Sequence, residues 1–506
     1  MRIKAIFLFL LVLSIKASDY QNKSIYELQE LIEASDNKKL FIDDYLSYLE
    51  TNDVVNSINS LHSSNELYKS YVYSRRAPWR GVPIFIKDNI DSYGLANTAG
   101  SLLMSDNLPR DDAQLVKNLK KAGFLVVGKT NLSEWANFRG QGSVSGWSSF
   151  GGQTLNPYNL EYNPCGSSSG SAAVVAEGLA PVSIGTETNG SITCPASMNG
   201  VVGIKPTVGL VSRDGIIPIS ATQDTAGPMA RTVLEAAEVL KAISGRDPKD
   251  PATRNIPRNY NYDALIDLDK NYLKDKRIGV IVLGNNASAT EIELDKKVRE
   301  NIATAGGEII DITFDAFTDD DWSKALFLLF YEFNNGLNEY LKQSNSEHKS
   351  IDDIIENNLK REDEILKYFG QELMIESSKA AKGKIYEGEK SELIYADATA
   401  VTLKAQSIID KTLEDNSIDL IVGLTRNPAW KIDYENGDNF SNSWGNGSLS
   451  AIAGYPHITI PLSYVDGLPV GVSFMASSWE ESKIINAAFA FEYVNNFIPR
   501  PIRDTK

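Results

Sequence analysis

The sequence predicts an α/β fold, because short apolar strand segments alternate with amphipathic helical segments. Residues 81–86 form an apolar strand candidate, residues 112–122 an amphipathic helix, and residues 124–127 a buried strand. The chain has 506 residues, of which 42% are hydrophobic. That proportion provides a sizeable core and excludes a disordered chain.

The N-terminus has the features of a secretory signal peptide. Residues 1–4 are short and basic, residues 5–15 are mostly apolar, and Lys16-Ala17-Ser18 follows. The apolar run is too short to span a bilayer as a helix. We therefore predict a signal peptide over residues 1–17, cleaved after Ala17, which implies export to a periplasm or secretion. An uncleaved anchor is the alternative interpretation.

The remaining residues, 18–506, are predicted to form one domain that begins with helices over residues 18–75. Helical periodicity extends from residue 25 to residue 60. Residues 140–170 lack periodicity and are rich in Gly, Ser, Asn and Pro, which is typical of a functional loop. A small-residue helix over 171–179 and a strand over 182–185 follow.

After residue 245 the sequence becomes more charged and more helical. About residues 246–415 contain a strand candidate and long helical patterns, and strands and a helix return beyond residue 418. We interpret this middle segment as a helical insertion that shapes the substrate pocket. The predicted segments are a strand over 278–283, helices over 322–342 and 351–403, strands over 458–461 and 468–474, and a helix over 480–495.

Composition argues against two classes of function. The chain carries 66 Asp and Glu against 50 Lys and Arg, for a net charge of −16. Nucleic-acid binding is disfavoured, since phosphate contacts need clustered basic residues. Three histidines and two cysteines argue against a metal centre built from these residues, so no metal or organic cofactor is predicted. The acidic run 319–321 is interpreted as solvated surface.

One serine motif fails on its context. Residues 166–170 fit the G-x-S-x-G pattern, with Ser168 as the nucleophile. That pattern requires a strand immediately before it, whereas residues 156–164 contain two prolines. The small residues instead suggest a cradle of exposed backbone N–H groups. The Gly-Lys-Ser/Thr ending of a phosphate-binding P-loop is absent.

A second turn, residues 188–191, follows a predicted strand and is a better candidate. Its backbone N–H groups could form an oxyanion hole, and Ser191 could be an acyl-forming nucleophile. Asn189 tolerates unusual backbone angles. The alternative is an ordinary serine in a tight turn.

The residues alone leave the general base open. His457 is the least implausible histidine, with a surface position at a strand edge as the alternative. A buried lysine with a lowered pKa is equally able to accept a proton. Lys87, Lys129 and Lys205 all follow apolar strand candidates, and nothing in their local sequence distinguishes them.

Taken together, the motifs resemble those of the amidase signature family over most of the chain. The match is carried by residues 80–90, 98–101, 127–136, 164–172, 185–192, 195–197, 200–207 and 467–471. Within the family the chain is most similar to bacterial peptide amidases, and it also resembles the amidase-like subunit of glutamyl-tRNA(Gln) amidotransferases. The closer likeness rests on residues 135–139, 145–148, 151–154, 194, 223–228 and 428–431.

The resemblance implies a single domain with a large mixed sheet between helices. It implies a Ser-cisSer-Lys triad with Lys87 as base, Ser167 as bridging serine on a cis peptide, and Ser191 as nucleophile. The implied oxyanion hole comprises the backbone N–H groups of Thr188, Asn189, Gly190 and Ser191. We also expect substrate binding by Ser168, Trp147, Trp430 and Trp444.

The resulting hypothesis is a metal-free and cofactor-free amide hydrolase that acts through an acyl-enzyme on small-molecule or peptide amides, including C-terminal amides of peptides. Alternatives are a glutaminase of the amidotransferase type, or an amidase for small or fatty-acid amides. We expect a monomer or homodimer without nucleic acid, and without stable membrane insertion once the signal is removed. Cys165 and Cys194 are expected to be small buried thiols, with a disulfide as the alternative.

Overall fold

A computed structural model describes residues 20–383, 391–440 and 447–502. The predicted signal peptide and Trp444 lie outside these residues. None of the described helices is both long enough and apolar enough to cross a membrane. The helices are α1 (Ile25–Ala34), α2 (Lys38–Asn52), α3 (Ser64–Tyr73), α4 (Gln114–Ala122), α5 (Ser169–Ala176), α6 (Thr193–Met198), α7 (Val233–Ile243), α8 (Ala289–Thr304), α9 (Asp319–Gln343), α10 (Ile351–Lys360), α11 (Glu362–Ile365), α12 (Glu372–Ala381), α13 (Ser391–Ala398), α14 (Ala400–Asp415), α15 (Gly447–Ala453) and α16 (Glu481–Asn495).

The centre of the fold is an eleven-stranded mixed sheet. Its strand order is β1-β3-β2-β6-β8-β7-β12-β13-β11-β9-β10, and β4 and β5 form a separate hairpin. Strand β2 pairs in parallel with β3 and β6, whereas β6 pairs antiparallel with β8. The strands are β1 (Ile58–Leu61), β2 (Pro83–Lys87), β3 (Leu125–Thr130), β4 (Trp147–Ser148), β5 (Gly152–Gln153), β6 (Val182–Glu187), β7 (Val202–Lys205), β8 (Thr225–Ala230), β9 (Arg277–Ile281), β10 (Glu308–Ile312), β11 (Leu420–Leu424), β12 (His457–Val465) and β13 (Leu468–Met475). The large mixed sheet implied by the family resemblance is therefore present.

Helices cover both faces of the sheet. Ile84 and Ile86 contribute to the larger core with α4, α7, α8 and α16, whereas Phe85 contributes to a second core with α1, α2, α3 and α5. This division follows from the two-residue period of a strand. By the same alternation Lys87 lies on the Phe85 side, towards α5.

The helices of the middle segment pack against loops at one end of the sheet. The Phe138 ring lies 5.7 Å from that of Phe330 and 5.0 Å from that of Phe333, both on α9. Ile217 and Ile219 belong to the same hydrophobic cluster. Helices α9, α10 and α12 thus line the side of the molecule that carries the Gly- and Ser-rich loops.

The helical prediction for residues 25–60 is wrong in two places. The chain leaves helix between Ala34 and Lys38, and Ile58–Leu61 is strand β1. Strand β1 pairs antiparallel with β3, so pairing with a distant segment outweighs the local pattern. The other strand predictions around the site, residues 81–86, 124–127 and 182–185, are confirmed to within a few residues as β2, β3 and β6.

Candidate active site

Lys87 is the last residue of β2 and is completely buried. Its Nζ donates to Ser167 Oγ at 2.7 Å, to Thr186 Oγ1 at 3.0 Å and to the Thr186 carbonyl at 3.2 Å. Burial lowers the pKa of the Lys87 amine to about 7, although the carboxylates of Asp224 and Glu187 oppose that shift. The amine can therefore lose its proton near neutral pH and accept another.

Ser167 is held by an unusual stretch of backbone. The Gly166–Ser167 peptide bond is cis, and Cys165 before it has φ of 58°. A Cβ on Gly166 would lie 2.2 Å from Ser133 Oγ, so this position has no room for a side chain. The Ser167 carbonyl accepts from the backbone N–H of Ser133 at 3.1 Å. From this segment the Ser167 hydroxyl oxygen contacts Lys87 Nζ.

The other two candidate lysines interact with different partners. Lys129 forms a buried ion pair with Asp88 at 3.3 Å. Lys205 donates to the Pro206 carbonyl at 3.4 Å, and burial lowers its pKa to about 8. In the described part of the chain neither amine hydrogen-bonds to a serine. Contact with Ser167 therefore distinguishes Lys87 from the other two lysines.

His457 is not at a surface strand edge. It is the first residue of β12, is buried, and its Nε2 lies 2.6 Å from Ser473 Oγ. Burial lowers the pKa of its imidazole to about 4. Because its hydroxyl partner is Ser473 rather than Ser191 or Ser167, the structure gives no support to His457 as the base.

Ser191 lies in the turn between β6 and α6, and Glu187 shapes that turn. One Glu187 carboxylate oxygen accepts from the backbone N–H of Ile192 at 2.7 Å and of Thr193 at 2.9 Å. The carboxylate therefore satisfies donors at the start of α6, which have no partner within the helix. The turn is thereby tied to the strand that precedes it.

Two further contacts fix residues 188 and 189. Thr188 donates its hydroxyl to Asp224 at 2.5 Å, and Asn189 accepts from the Ser448 hydroxyl at 3.0 Å. Gly190 has φ of 83°, which favours glycine. In the described ranges no acceptor pairs with the backbone N–H groups of residues 188–191. Those donors remain available to a developing oxyanion.

Two adjoining cavities meet at this turn. The first, of about 390 Å³, is lined by Gly190 and Ser191 and by the side chains of Phe138, Arg426 and Phe440, among others. The second, of about 480 Å³, is bordered by Thr186, Asp224 and residues of α9. They share Ala136, Thr188 and Ile219. We call these the nucleophile cavity and the α9 cavity.

A disulfide joins the two serine-bearing segments, so the expectation of free thiols is wrong. Cys165 and Cys194 are bonded, with their Cα atoms 6.0 Å apart. The backbone N–H of Ser168 also donates to the Ser191 carbonyl at 3.1 Å. The tertiary fold brings together two cysteines that local sequence cannot pair.

The predicted substrate-binding residues are dispersed. Ser168 is buried, and its hydroxyl donates to the Thr186 carbonyl at 3.0 Å. Trp147 packs against Phe369, with ring centroids 5.3 Å apart, and is not among the residues lining either cavity. Trp430 contacts Phe440 at 4.8 Å, so it lies behind the wall of the nucleophile cavity. Trp444 lies outside the described residues.

Sequence reasoning missed two charged residues at the site, Asp224 and Arg426. Asp224 directly precedes β8 and accepts from Thr188; burial raises the pKa of its carboxyl to about 6. Arg426 lies two residues after the buried strand β11. A charged side chain beside a fully apolar strand is the same signal that singled out the three lysines, and it was available for Arg426.

Comparison with known proteins identifies the family. A model of the Amidase family matches residues 7–485. A probable amidase of Arabidopsis thaliana is 38% identical over 420 residues, which cover 81% of this chain and 76% of the relative. A glutamyl-tRNA(Gln) amidotransferase subunit of Thermoanaerobacter pseudethanolicus is 32% identical over 428 residues, covering 83% and 84%.

Solved structures give the same result. The X-ray structure of native peptide amidase from Stenotrophomonas maltophilia matches with a TM-score of 0.86 at 39% identity, covering 96% of this chain and 99% of that one. The corresponding amidotransferase subunit of Thermotoga maritima shares the fold, with a TM-score of 0.70 at 24% identity over 96% and 98% of the two chains. The chain therefore belongs to the amidase signature family and is an enzyme that hydrolyses amide carbon–nitrogen bonds.

Proposed function

We propose that this enzyme removes ammonia from the C-terminal carboxamide of peptides, with Ser191 as nucleophile, Ser167 as proton relay and Lys87 as general base. The observation that carries the proposal is the 2.7 Å contact between Lys87 Nζ and Ser167 Oγ, next to the cavity that Ser191 lines. A neutral lysine, a bridging hydroxyl and an accessible serine supply the groups that nucleophilic catalysis needs.

The base works because it is buried. At its pKa of about 7, half of the Lys87 amine is neutral and has a lone pair to accept a proton. Ser167 passes its hydroxyl proton to Lys87 and takes one from Ser191, so the Ser191 oxygen gains nucleophilic character without a free alkoxide. The Ser191 oxygen then bonds to the amide carbon, and the carbonyl π electrons move onto the oxygen.

The resulting oxyanion lies against the N–H groups of residues 188–191, which have no competing acceptor in the described chain. Lys87 returns its proton through Ser167 to the amide nitrogen, the carbon–nitrogen bond breaks, and ammonia leaves. Water then attacks the acyl-enzyme by the same relay. That step releases the carboxylic acid and restores Ser191.

We favour peptide amides as the substrate class because the chain is more similar to the solved peptide amidase than to the solved amidotransferase subunit. The former structure shares 39% identity and the latter 24%. The apolar walls of the nucleophile cavity, which include Phe138, Leu329 and Phe440, suit the side chains of a peptide. We further propose that the enzyme is exported through residues 1–17, which would exclude it from cytosolic tRNA chemistry.

The test is ammonia release from amidated peptides, free amino-acid amides, fatty-acid amides and glutamine. Release from the peptides, lost in Ser191→Ala and retained in Ser105→Ala, would support the proposal. Ser105 is an exposed serine whose hydroxyl donates to the Leu102 carbonyl. Ser105→Ala therefore makes the same chemical change as Ser191→Ala, but at a surface residue. Turnover that persists in folded Ser191→Ala, or that is confined to glutamine or fatty-acid amides, would contradict it.

A further inference from the structure

The nucleophile cavity contains the guanidinium of Arg426, which has no acceptor among the described residues. Arg426 lines this cavity together with Gly190 and Ser191. Within the described ranges, its side chain makes no hydrogen bond and no ion pair, and it lies 5.4 Å from the centre of the Phe440 ring. Burial lowers the pKa of the Arg426 guanidinium, which is the direction expected for a charge that has lost water. A guanidinium has five N–H donors, and leaving them unpaired is costly.

The position of this charge relative to the nucleophile is well defined. A Cβ placed on Gly190 would lie 3.5 Å from Arg426 Nη2. Gly190 is the residue before Ser191, and neighbouring Cα atoms lie about 3.8 Å apart. A substrate group that accepts from the guanidinium would therefore be separated by only a few covalent bonds from the carbonyl that Ser191 attacks.

Glu187 and Asp224 each direct a carboxylate oxygen to partners other than Arg426. Glu187 directs one oxygen to the N–H groups of Ile192 and Thr193, and no ion pair joins it to Arg426. Asp224 accepts from Thr188 and from the backbone N–H of Ser220. The second Glu187 oxygen, Oε1, is buried without a hydrogen-bond partner, so among the described residues it does not pair with Arg426 either, and the guanidinium can bind a molecule that enters the cavity.

We propose that Arg426 binds a carboxylate on the acyl part of the substrate, so that the enzyme prefers peptides whose amidated terminal residue is acidic. This inference rests on the proposed function: because ammonia is the leaving group, a carboxylate can only belong to the acyl part. The planar guanidinium matches a carboxylate through two parallel hydrogen bonds. Phe138, Leu329 and Phe440 give the cavity apolar walls, and the lower local dielectric beside them strengthens that pairing.

The alternative is that Arg426 only balances the charge of Glu187. Glu187 does act on Arg426, since its carboxylate raises the pKa of the guanidinium against the effect of burial. In that case replacement of Arg426 would change the turnover of acidic and neutral substrates by the same factor. A preference that depends on substrate charge separates the two roles.

The experiment compares kcat/KM for acetyl-Ala-Glu-NH2, acetyl-Ala-Met-NH2 and acetyl-Ala-Lys-NH2, whose terminal side chains are unbranched and differ in charge. The wild-type enzyme should prefer the Glu amide to the Met amide by about 10- to 100-fold, the range of a charged hydrogen-bonded pair. Arg426→Met should abolish that ratio, so that kcat/KM for the Glu amide falls about 10- to 100-fold further than kcat/KM for the Met amide. Arg426→Lys should retain part of the ratio, because it keeps the charge and loses the planar pairing.

Arg258→Met is the matched control, since it removes one exposed arginine and should leave the ratio unchanged. Equal rates on the Glu and Met amides by wild type, or a preference that survives in Arg426→Met, would overturn the inference while leaving the peptide amidase proposal intact. Failure of wild type on all three amides would instead refute the proposed function. Glutamine is tested as well, because its carboxylate lies on the α-carbon and its amide on the side chain. If hydrolysis of glutamine needs Arg426, the carboxylate that Arg426 binds is the one on the α-carbon.

Discussion

Thr188 and Asp224 are joined by a 2.5 Å hydrogen bond that links the first residue of the Ser191 turn to the segment before β8. The other Asp224 oxygen accepts from the backbone N–H of Ile219 and Ser220. This buried carboxylate therefore holds two walls of the adjoining cavities together. Its negative charge also acts on the Lys87 amine, whose pKa it raises.

The first prediction follows from that charge. Asp224→Asn removes a negative charge that stabilises protonated Lys87, so the pKa of the amine should fall further below its present value of about 7. The acid limb of kcat/KM should then move to lower pH, by up to about one pH unit. Exposed Asp106→Asn is the charge-matched control and should leave the midpoint in place. A midpoint that stays fixed or rises in Asp224→Asn would refute this coupling.

The second prediction concerns the pH profile itself. If Lys87 must be neutral, kcat/KM should decline about tenfold per pH unit below pH 7 and level off above it. The measurement is kcat/KM on one amidated peptide across pH 5 to 9, with buffers of constant ionic strength. A flat profile through pH 7 would exclude this lysine as the base.

The same residue predicts a stability effect of known sign. The Lys87 pKa is depressed from 10.5 to about 7 in the folded state, so folding expels a proton between these values. The depressed pKa therefore lowers the free energy of unfolding. This destabilisation grows as pH falls from 10.5 to 7 and is constant below pH 7. Lys87→Met should therefore be inactive yet have a Tm at pH 7 no lower than wild type, measured by calorimetry. A large loss of Tm would mean that the hydrogen bonds of the amine outweigh its desolvation.

Much of the sheet near the site was predictable because its strands are short apolar runs with a clear period. Residues 81–86 and 182–185 satisfy that rule and became β2 and β6. Strand β1 did not, because its four residues, all half-buried, form a strand only through pairing with β3. Local sequence carries no information about that partner.

The active site also has features that local sequence predicts and features that depend on distant residues. Lys87, Lys129 and Lys205 all follow apolar segments, and each is completely buried. What separates them is a partner far along the chain: Ser167 lies 80 residues from Lys87, whereas Lys129 is paired with Asp88. The family resemblance supplied this distinction, whereas periodicity and composition could not.

The role of an aromatic residue in the Gly-rich loop was harder still to predict from the sequence. Trp147 was expected to bind substrate, yet it packs against Phe369 and Tyr368, which belong to the middle helical segment more than 200 residues away. A tryptophan in a loop is equally suited to a pocket or to a small core. Only the position of the distant segment decides between them.

The disulfide gives the next prediction. It joins two cysteines that are 29 positions apart in the sequence and closes a loop that contains both the Ser167 and the Ser191 segments. Its replacement in Cys165→Ala/Cys194→Ala should lower the free energy of unfolding by about 2–4 kcal/mol. Urea denaturation of the double variant, of wild type and of wild type in reductant provides the measurement. Equal stability of oxidised wild type and the double variant would show that the bond does not constrain the unfolded chain.

The last prediction tests how Glu187 supports the nucleophile. Glu187→Gln retains an oxygen that can accept from Ile192 and Thr193, whereas Glu187→Leu leaves both buried N–H groups without an acceptor. The leucine variant should lose about 1–3 kcal/mol of stability for each unpaired group, and the Ser191 turn should lose its fixed position. We expect kcat to fall by about tenfold or more in Glu187→Leu and much less in Glu187→Gln, because catalysis depends on placement within fractions of an ångström. An equal loss of activity in the two variants, with both folded, would mean that the carboxylate acts through its charge on Lys87 and Arg426 rather than through the backbone it binds.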